Sequence, residues 1–233
     1  MSAIDQWELA ESCIGSMRRV LLYGPPGTGK TYSAMYHNLG EDQDVYCNTL
    51  TEETPASELR GHFVLKDSTM EWHHGPAMRA WLDGSRYVIN ELDRASGDCH
   101  SFCYAVLDDL PSAQVTLPSG QTVRPKAETS FVVTMNGTEA DLPEALVDRM
   151  DAIIHITRPH PKAIAALPHH LQEIAKEATE STDPRSRTSI RKWFALAEAM
   201  NHLALPAACV AVFGDRAGDI AAAYNLKDRL TKE

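Results

Sequence analysis

An α/β fold is predicted, with a parallel five-stranded sheet flanked by helices and a small all-helical region after it. Three observations predict it. Short apolar runs rich in β-branched and aromatic residues punctuate the first two thirds of the chain, at 20–23, 45–47, 87–89, 131–135 and 153–156. Segments of helical periodicity separate most of them. After residue 157 the strand-like runs stop and only helical patterns remain. Strand–helix alternation implies parallel strands, because a parallel neighbour needs a crossover and the crossover helices cover both sheet faces.

The first run leads into the most informative stretch, Gly24-Pro25-Pro26-Gly27-Thr28-Gly29-Lys30-Thr31. A glycine, four residues and then Gly-Lys-Thr is the spacing of a phosphate-binding loop. The glycines let successive N–H groups turn toward one anion, and the following helix, expected over 31–39, aims its positive end at the same point. Lys30 adds a mobile charge for the β and γ phosphates, and Thr31 offers a hydroxyl to Mg²⁺. Strand, loop and helix follow in the order this chemistry needs, so the expected ligand is ATP with Mg²⁺.

The third run ends in Asn90-Glu91-Leu92-Asp93. An apolar strand with acidic groups at its end, beside a phosphate loop, is where such an enzyme holds its metal and activates water. Glu91 is the candidate general base. The metal-side position 90, normally an aspartate, is asparagine here. Asn90 can accept a hydrogen bond from a metal-bound water but brings no charge to a hard cation. Three readings stay open: a tolerated natural substitution, a slow or inactive ATPase, or a change engineered to trap nucleotide.

Beyond 157, Arg158-Pro159-His160-Pro161 has the pattern of a linker, since each proline restricts the residue before it. Two amphipathic helical faces follow, Leu171/Ile174/Ala175/Ala178 and Ile190/Trp193/Phe194/Ala197. The expected division is a nucleotide-binding domain at 1–157 and a helical lid at 158–233.

Composition narrows the function classes. The chain of 233 residues is 43% hydrophobic, enough to bury a sizeable core. Its apolar runs are too short to cross a bilayer, and the N-terminus lacks a signal-peptide layout. Five cysteines fall without disulfide or zinc spacing, which fits a reducing, cytoplasmic setting. A formal charge of −10 argues against broad nucleic-acid binding. Cys99, Phe102, Cys103, Val106, Leu107 and Leu110 form one helical stripe, so the cysteines are expected in the core rather than on a metal. His73-His74 could contact a partner or, as the lesser expectation, ligate a metal, and His169-His170 is expected to be solvated.

These motifs together resemble the MoxR and dynein-related group of AAA+ ATPases, which includes the CbbQ/NorQ-type activators, the gas-vesicle ATPase GvpN and the ATPase subunit of cobaltochelatase. The resemblance runs from about residue 17 to 230. Leu59-Arg60-Gly61, the segment 63–74 and Gly75-Pro76 resemble the group's helix-2 insert, in which Phe63, Met70 and Trp72 either pack the hairpin or form a partner-facing tip. Residues 90–95 resemble the Walker B strand end, and 115–123, with Ser119-Gly120 at its turn, resembles the hairpin before sensor 1. Thr134-Met135-Asn136 resembles sensor 1. The stretch 142–149 ends, like the group's, on the arginine finger, here Arg149; Ser189-Ile190-Arg191 resembles sensor 2, with Arg187 and Arg185 as rivals.

The resemblance implies roles. Asn136 would bond the attacking water or the γ-phosphate. Arg149 would reach a neighbouring subunit's site, and Arg191 would contact the γ-phosphate of its own. It further implies a homo-oligomeric ring, most often a hexamer, and a chaperone-like ATPase that remodels or activates a partner protein, including metal or cofactor insertion. With the lid at the end of the chain and about 16 residues before the core, a separate target-selecting partner is expected, such as one with a von Willebrand A-type domain. Two other classes stand beside this reading: a nucleic-acid motor or loader, and a non-hydrolysing, nucleotide-gated structural ring suggested by Asn90.

Overall fold

The computed structural model describes residues 4–40, 43–181, 183 and 185–230, the side chains of 227–230 excepted. By internal contacts the chain divides into two compact units, Met1–Gly24 with Lys30–Ile156, and Pro25–Gly29 with Thr157–Glu233. The second unit thus takes in the body of the phosphate loop, which a boundary at 157/158 places with the first.

The first unit is built on a parallel sheet of five strands in the order β2-β5-β8-β1-β9. These are β1 (Arg19–Tyr23), β2 (Val45–Thr49), β5 (Arg86–Asn90), β8 (Ser130–Met135) and β9 (Ala152–His155). Strand parity explains why the runs are continuously apolar. Leu21, Ile89 and Val133 point into one core, and Val20, Leu22, Val88, Val132 and Ile154 into the other. With both faces covered there is no polar side to alternate with.

Helices α1 (Gln6–Ser16) and α2 (Lys30–Tyr36) supply Trp7, Ala10, Ile14 and Ala34 to the second core. Asp5 starts α1 by accepting the Trp7 and Glu8 amides at 2.8 and 3.2 Å. The first core is closed by α3 (Ala56–Arg60), α4 (Pro76–Asp83), α5 (Gly97–Val106) and α6 (Glu144–Val147). Two hairpins stand apart from the sheet: β3 (Gly61–Lys66) with β4 (Thr69–His74), and β6 (Val115–Thr116) with β7 (Thr122–Val123). In the first, Phe63 faces Trp72 and Leu65 faces Met70. Phe63 packs edge-on against Trp72 at 5.1 Å, while Leu65 and Met70 stay exposed.

α2 is shorter than the expected 31–39. It stops at Tyr36, and Asn38 turns to a positive φ of 49°. The stop has a distant cause. Arg86, the first residue of β5, is 3% exposed and donates to the carbonyls of Ala34, His37 and Asn38 at 3.1, 2.6 and 3.3 Å. A guanidinium on the last carbonyls of a helix satisfies acceptors the helix cannot and suits its dipole.

Among its described residues the second unit is helical after Thr157: α7 (Pro161–Ala165), α8 (His169–Glu180), α9 (Ile190–Ala199), α10 (Leu205–Phe213) and α11 (Ala217–Leu230). Its core gathers Leu171, Ile174 and Ala175 with Ile190, Trp193 and Leu196. Phe194, expected on this face, lies outside the core. Phe194 is 40% exposed and Leu196 takes its place, because Ile190, Trp193 and Leu196 repeat at one helical face while Phe194 lies beside it.

Candidate nucleotide site

The loop between β1 and α2 needs its glycines. Gly24, Gly27 and Gly29 lie at φ 129°, 74° and 105°. At Gly24 the case is steric as well, since a Cβ there would sit 2.3 Å from the Ile156 carbonyl oxygen. Lys30 begins α2 and is buried. Its ammonium donates to the Gly24 carbonyl at 2.8 Å and to Asn136 Oδ1 at 3.3 Å.

Asn136 lies one residue past β8 and Glu91 one past β5. These strands are neighbours, paired up to Asn90 opposite Thr134. The pairing brings the two side chains together: Asn136 Nδ2 donates to Glu91 Oε1 at 2.5 Å. Lys30, Asn136 and Glu91, far apart in sequence, thus form one contiguous polar chain. Glu91 adopts a left-handed backbone conformation, φ 58° and ψ 43°, uncommon outside glycine and a feature of functional turns. Arg94 Nε approaches its other oxygen, Oε2, at 3.3 Å.

Asn90 is buried, and its amide is held at both ends. Oδ1 accepts the Thr134 hydroxyl at 2.8 Å, and Nδ2 donates to Cys47 Sγ at 3.1 Å. The side chain therefore ties β5 to β2 and β8, with one Oδ1 lone pair remaining. Burial pushes the Cys47 thiol up, keeping it an uncharged acceptor for that amide. Thr134 and Cys47 were not singled out from sequence. Thr134 belongs to the sensor 1-like Thr134-Met135-Asn136, but only cross-strand register reveals its partner.

Arg149 follows α6. Its Nε donates to the Tyr104 carbonyl at 3.1 Å and Nη1 to the Ala145 carbonyl at 2.6 Å, and its guanidinium lies 5.3 Å from the Tyr104 ring centroid. Arg149 is half-buried, and Tyr104 on α5 and Ala145 on α6 hold its guanidinium in place.

In the second unit the loop carbonyls are engaged: Gly27 O accepts the Ile190 N–H at 3.2 Å, and Thr28 O the His160 N–H at 3.0 Å. The start of α9 is thus bonded to the loop one residue before Arg191, which is exposed. Arg187, its rival, spends its guanidinium on the Thr157 carbonyl. Ser186 and Arg187 carbonyls in turn accept from Arg216 at 2.6 and 2.9 Å.

The cysteine stripe packs in the core through Cys99, Cys103, Val106 and Leu107, whereas Leu110, past the end of α5, is exposed. Burial pushes the Cys103 thiol up to about 12, so it is inert at neutral pH. No group of three or more His, Cys, Asp or Glu side chains placed to hold a metal occurs among the described residues.

Residues 19–150, more than half of the chain, match the family model of the AAA domain (dynein-related subfamily). The chain belongs to this family. Members of the AAA family bind nucleotide, and a loop of this form is their phosphate site. A curated relative, Protein NorQ from Paracoccus denitrificans, is 27% identical over 105 residues, which is 45% of this chain and 39% of NorQ. Among solved structures, an ATPase described from Cytophaga hutchinsonii superposes with a TM-score of 0.50 at 20% identity, over 79% of this chain and 54% of its own. NtrX from Brucella abortus in complex with ATP gives 0.57 at 13% identity, over 85% of this chain and 51% of its own. The chain therefore spans about half the length of these structures or less of NorQ, and at these identities the structural likeness concerns the fold: a five-stranded parallel AAA+ sheet with a helical region following it.

Proposed function

We propose that this chain is an ATP-hydrolysing AAA+ module of the MoxR/NorQ type, with a nucleotide domain at 1–157 and a lid at 158–233, that works in a homo-oligomeric ring and couples hydrolysis to remodelling or activation of a partner protein. The observation that carries the hydrolytic part is the chain of contacts from Lys30 through Asn136 to Glu91. It joins the phosphate-binding cation, the group that senses the γ-phosphate and the group that takes the proton from water.

The roles follow from chemistry. The loop amides of 24–31 and the N-terminus of α2 bind the phosphates. A γ-phosphate offers Lys30 a charged acceptor in place of the neutral Asn136 Oδ1, which is then free to accept from water. Asn136 then orients water toward phosphorus, and Glu91 accepts its proton. Mg²⁺ would be held by the Thr31 hydroxyl and, through a water, by the remaining lone pair of Asn90 Oδ1. Both are hard oxygen donors and suit the ion, but neither is charged, so the phosphates must supply the charge. When bound, the ion neutralises charge on the phosphates. Arg149 serves as the finger in trans. Arg191 serves as sensor 2, supported by the bond from Ile190 to Gly27 and by the engagement of Arg187 elsewhere.

A target-selecting partner of the von Willebrand A type fits this reading, as does a cytoplasmic setting, in which the five cysteines stay free. No helix among the described residues is long and apolar enough to cross a membrane. One observation favours a second reading, the nucleotide-gated scaffold: Asn90 is uncharged and its amide is tied into the sheet. Phosphate release measured with Mg²⁺ and ATP decides between them. The motor reading expects turnover that Lys30→Ala abolishes together with ATP binding. Nucleotide-dependent assembly without turnover overturns it in favour of the scaffold.

A further inference from the structure

We infer that Asp93 is a positioning residue that sets the contact between Glu91 and Asn136, a role that rests on the reading of Glu91 as general base. The two side chains come from different turns. The β5–β8 ladder ends at Asn90 opposite Thr134, with one more bond from the Glu91 N–H to the Thr134 carbonyl at 2.8 Å. Past that point the ladder stops: β8 runs on only to Met135, and Glu91, in a conformation that its surroundings must enforce, opens a 3-10 turn over Leu92–Arg94.

Asp93 supplies the next link. Its Oδ2 accepts the Gly137 N–H at 3.2 Å. Gly137 directly follows Asn136, and Asp93 stands two residues after Glu91, so the carboxylate ties one turn to the other just beyond the reactive pair. On the Glu91 side the turn is braced by His100 Nε2 against the Leu92 carbonyl at 2.9 Å.

Two features show that the link is built. A Cβ at Gly137 would lie 2.5 Å from Asp141 Oδ2 and 3.1 Å from Asp93 Oδ2. Asp141 cannot yield easily, because it already holds the Thr138 N–H and hydroxyl at 2.6 and 3.0 Å. Asp93 Oδ1, meanwhile, is buried and has no hydrogen-bond partner among the described residues. Retaining a buried polar side chain with one atom unsatisfied is costly, and an apolar residue would avoid that cost. What the aspartate supplies in exchange is the acceptor on Gly137. Proton abstraction from a positioned water depends steeply on geometry, and displacement by about 1 Å can cost on the order of a hundredfold in rate.

The test uses steady-state ATP hydrolysis and calorimetric ATP binding on the full chain. Asp93→Ala is expected to lower kcat by roughly ten- to a hundredfold while leaving the ATP dissociation constant unchanged. Asp93→Asn, which keeps an acceptor for Gly137, restores most of the turnover. In an Asn136→Ala background Asp93→Ala adds little, because the contact it positions is already gone. Parental kcat in Asp93→Ala, fully additive losses, or a fall in ATP affinity matching the fall in kcat overturns the proposal. Should Asp93→Ala fail to fold, Gly137→Ala presses a methyl group onto the same carboxylates and is held to the same criteria. Glu91→Gln separates the two levels. If it turns over like the parent, the general-base reading falls; if it is inactive while Asp93→Ala is unimpaired, only the positioning role falls.

Discussion

Asn136 and Glu91 meet side chain to side chain, Nδ2 to Oε1 at 2.5 Å, and the oxygen of the same amide receives the Lys30 ammonium at 3.3 Å. The amide is the right group for this place because it offers a donor to the carboxylate and an acceptor to the cation at once. Asn136→Ala should leave ATP binding nearly intact and reduce kcat by about a hundred- to a thousandfold, the usual effect of removing one preorganised donor. Asn136→Asp removes the donor and sets a second carboxylate against Glu91 Oε1, so it should be impaired as well. Parental kcat in both variants would separate Asn136 from Glu91 in function.

Asn90→Asp should lower the Mg²⁺ concentration needed for half-maximal hydrolysis. Thr134 can donate to a carboxylate as readily as to an amide. Cys47, which now accepts from Nδ2, would face an oxygen and has to turn its thiol hydrogen toward it, a weak but available bond. The fold should therefore tolerate the change, with melting temperature nearly unmoved, and the added charge should act on the cation. A Mg²⁺ titration superimposable on the parent's would show that position 90 does not face the metal.

The buried Arg86 guanidinium makes a stability prediction. Arg86→Met keeps much of the apolar stem and strips three carbonyls at the end of α2 of their donor. Charge-assisted bonds of this kind are each worth about 1.5–3 kcal/mol, but the variant also relieves the cost of burying the guanidinium, so a net loss of roughly 2–4 kcal/mol is expected. For a chain of this size that corresponds to a melting temperature lower by about 5–15 °C. Nucleotide should recover part of it, since a ligand of the native state stabilises by mass action. A melting temperature within experimental scatter of the parent's would mean that the carbonyls find other donors.

Much of this architecture was legible because it is locally encoded. Strands buried on both faces appear as uninterrupted apolar runs, and the phosphate loop has a fixed spacing, so the five strands and Lys30 stood out in the linear chain. Arg86 did not: a charged residue just outside an apolar run gives no sign that it caps a helix some 50 residues upstream. Thr134, Cys47 and Asp93 were hidden for the same reason, since their partners lie across a parallel ladder whose register spacing alone does not reveal. The early end of α2 at Tyr36 and the exposure of Phe194 are tertiary decisions of the same kind, made by a distant guanidinium and by which helical face Trp193 commits to the core.

Tyr104 and Ala145 direct Arg149 through its Nε and Nη1, whereas Lys30, Asn136 and Glu91 already contact one another within a single chain. If Arg149 acts in a neighbour's site, Arg149→Ala should bind ATP and hydrolyse it poorly, and Glu91→Gln should do the same for a different reason. Mixed, the two variants form some interfaces that pair an intact Glu91 site with an intact Arg149 from the adjoining subunit. Those interfaces should regain part of the parental rate, because a finger delivered in trans stabilises the same charge on the transferring phosphate as one delivered in cis. The regain should rise with protein concentration, as assembly does. Tyr104→Ala should behave as a weaker Arg149→Ala in the same mixtures: complemented by Glu91→Gln, and unable to complement Arg149→Ala. Its loss is smaller because the Tyr104 carbonyl remains and only the ring beneath the guanidinium, worth about 0.5–2 kcal/mol, is removed. Near-parental activity in Arg149→Ala alone would end the finger assignment. Two inactive proteins that co-assemble yet stay inactive at every ratio would place the defect in the ring as a whole instead of in one interface.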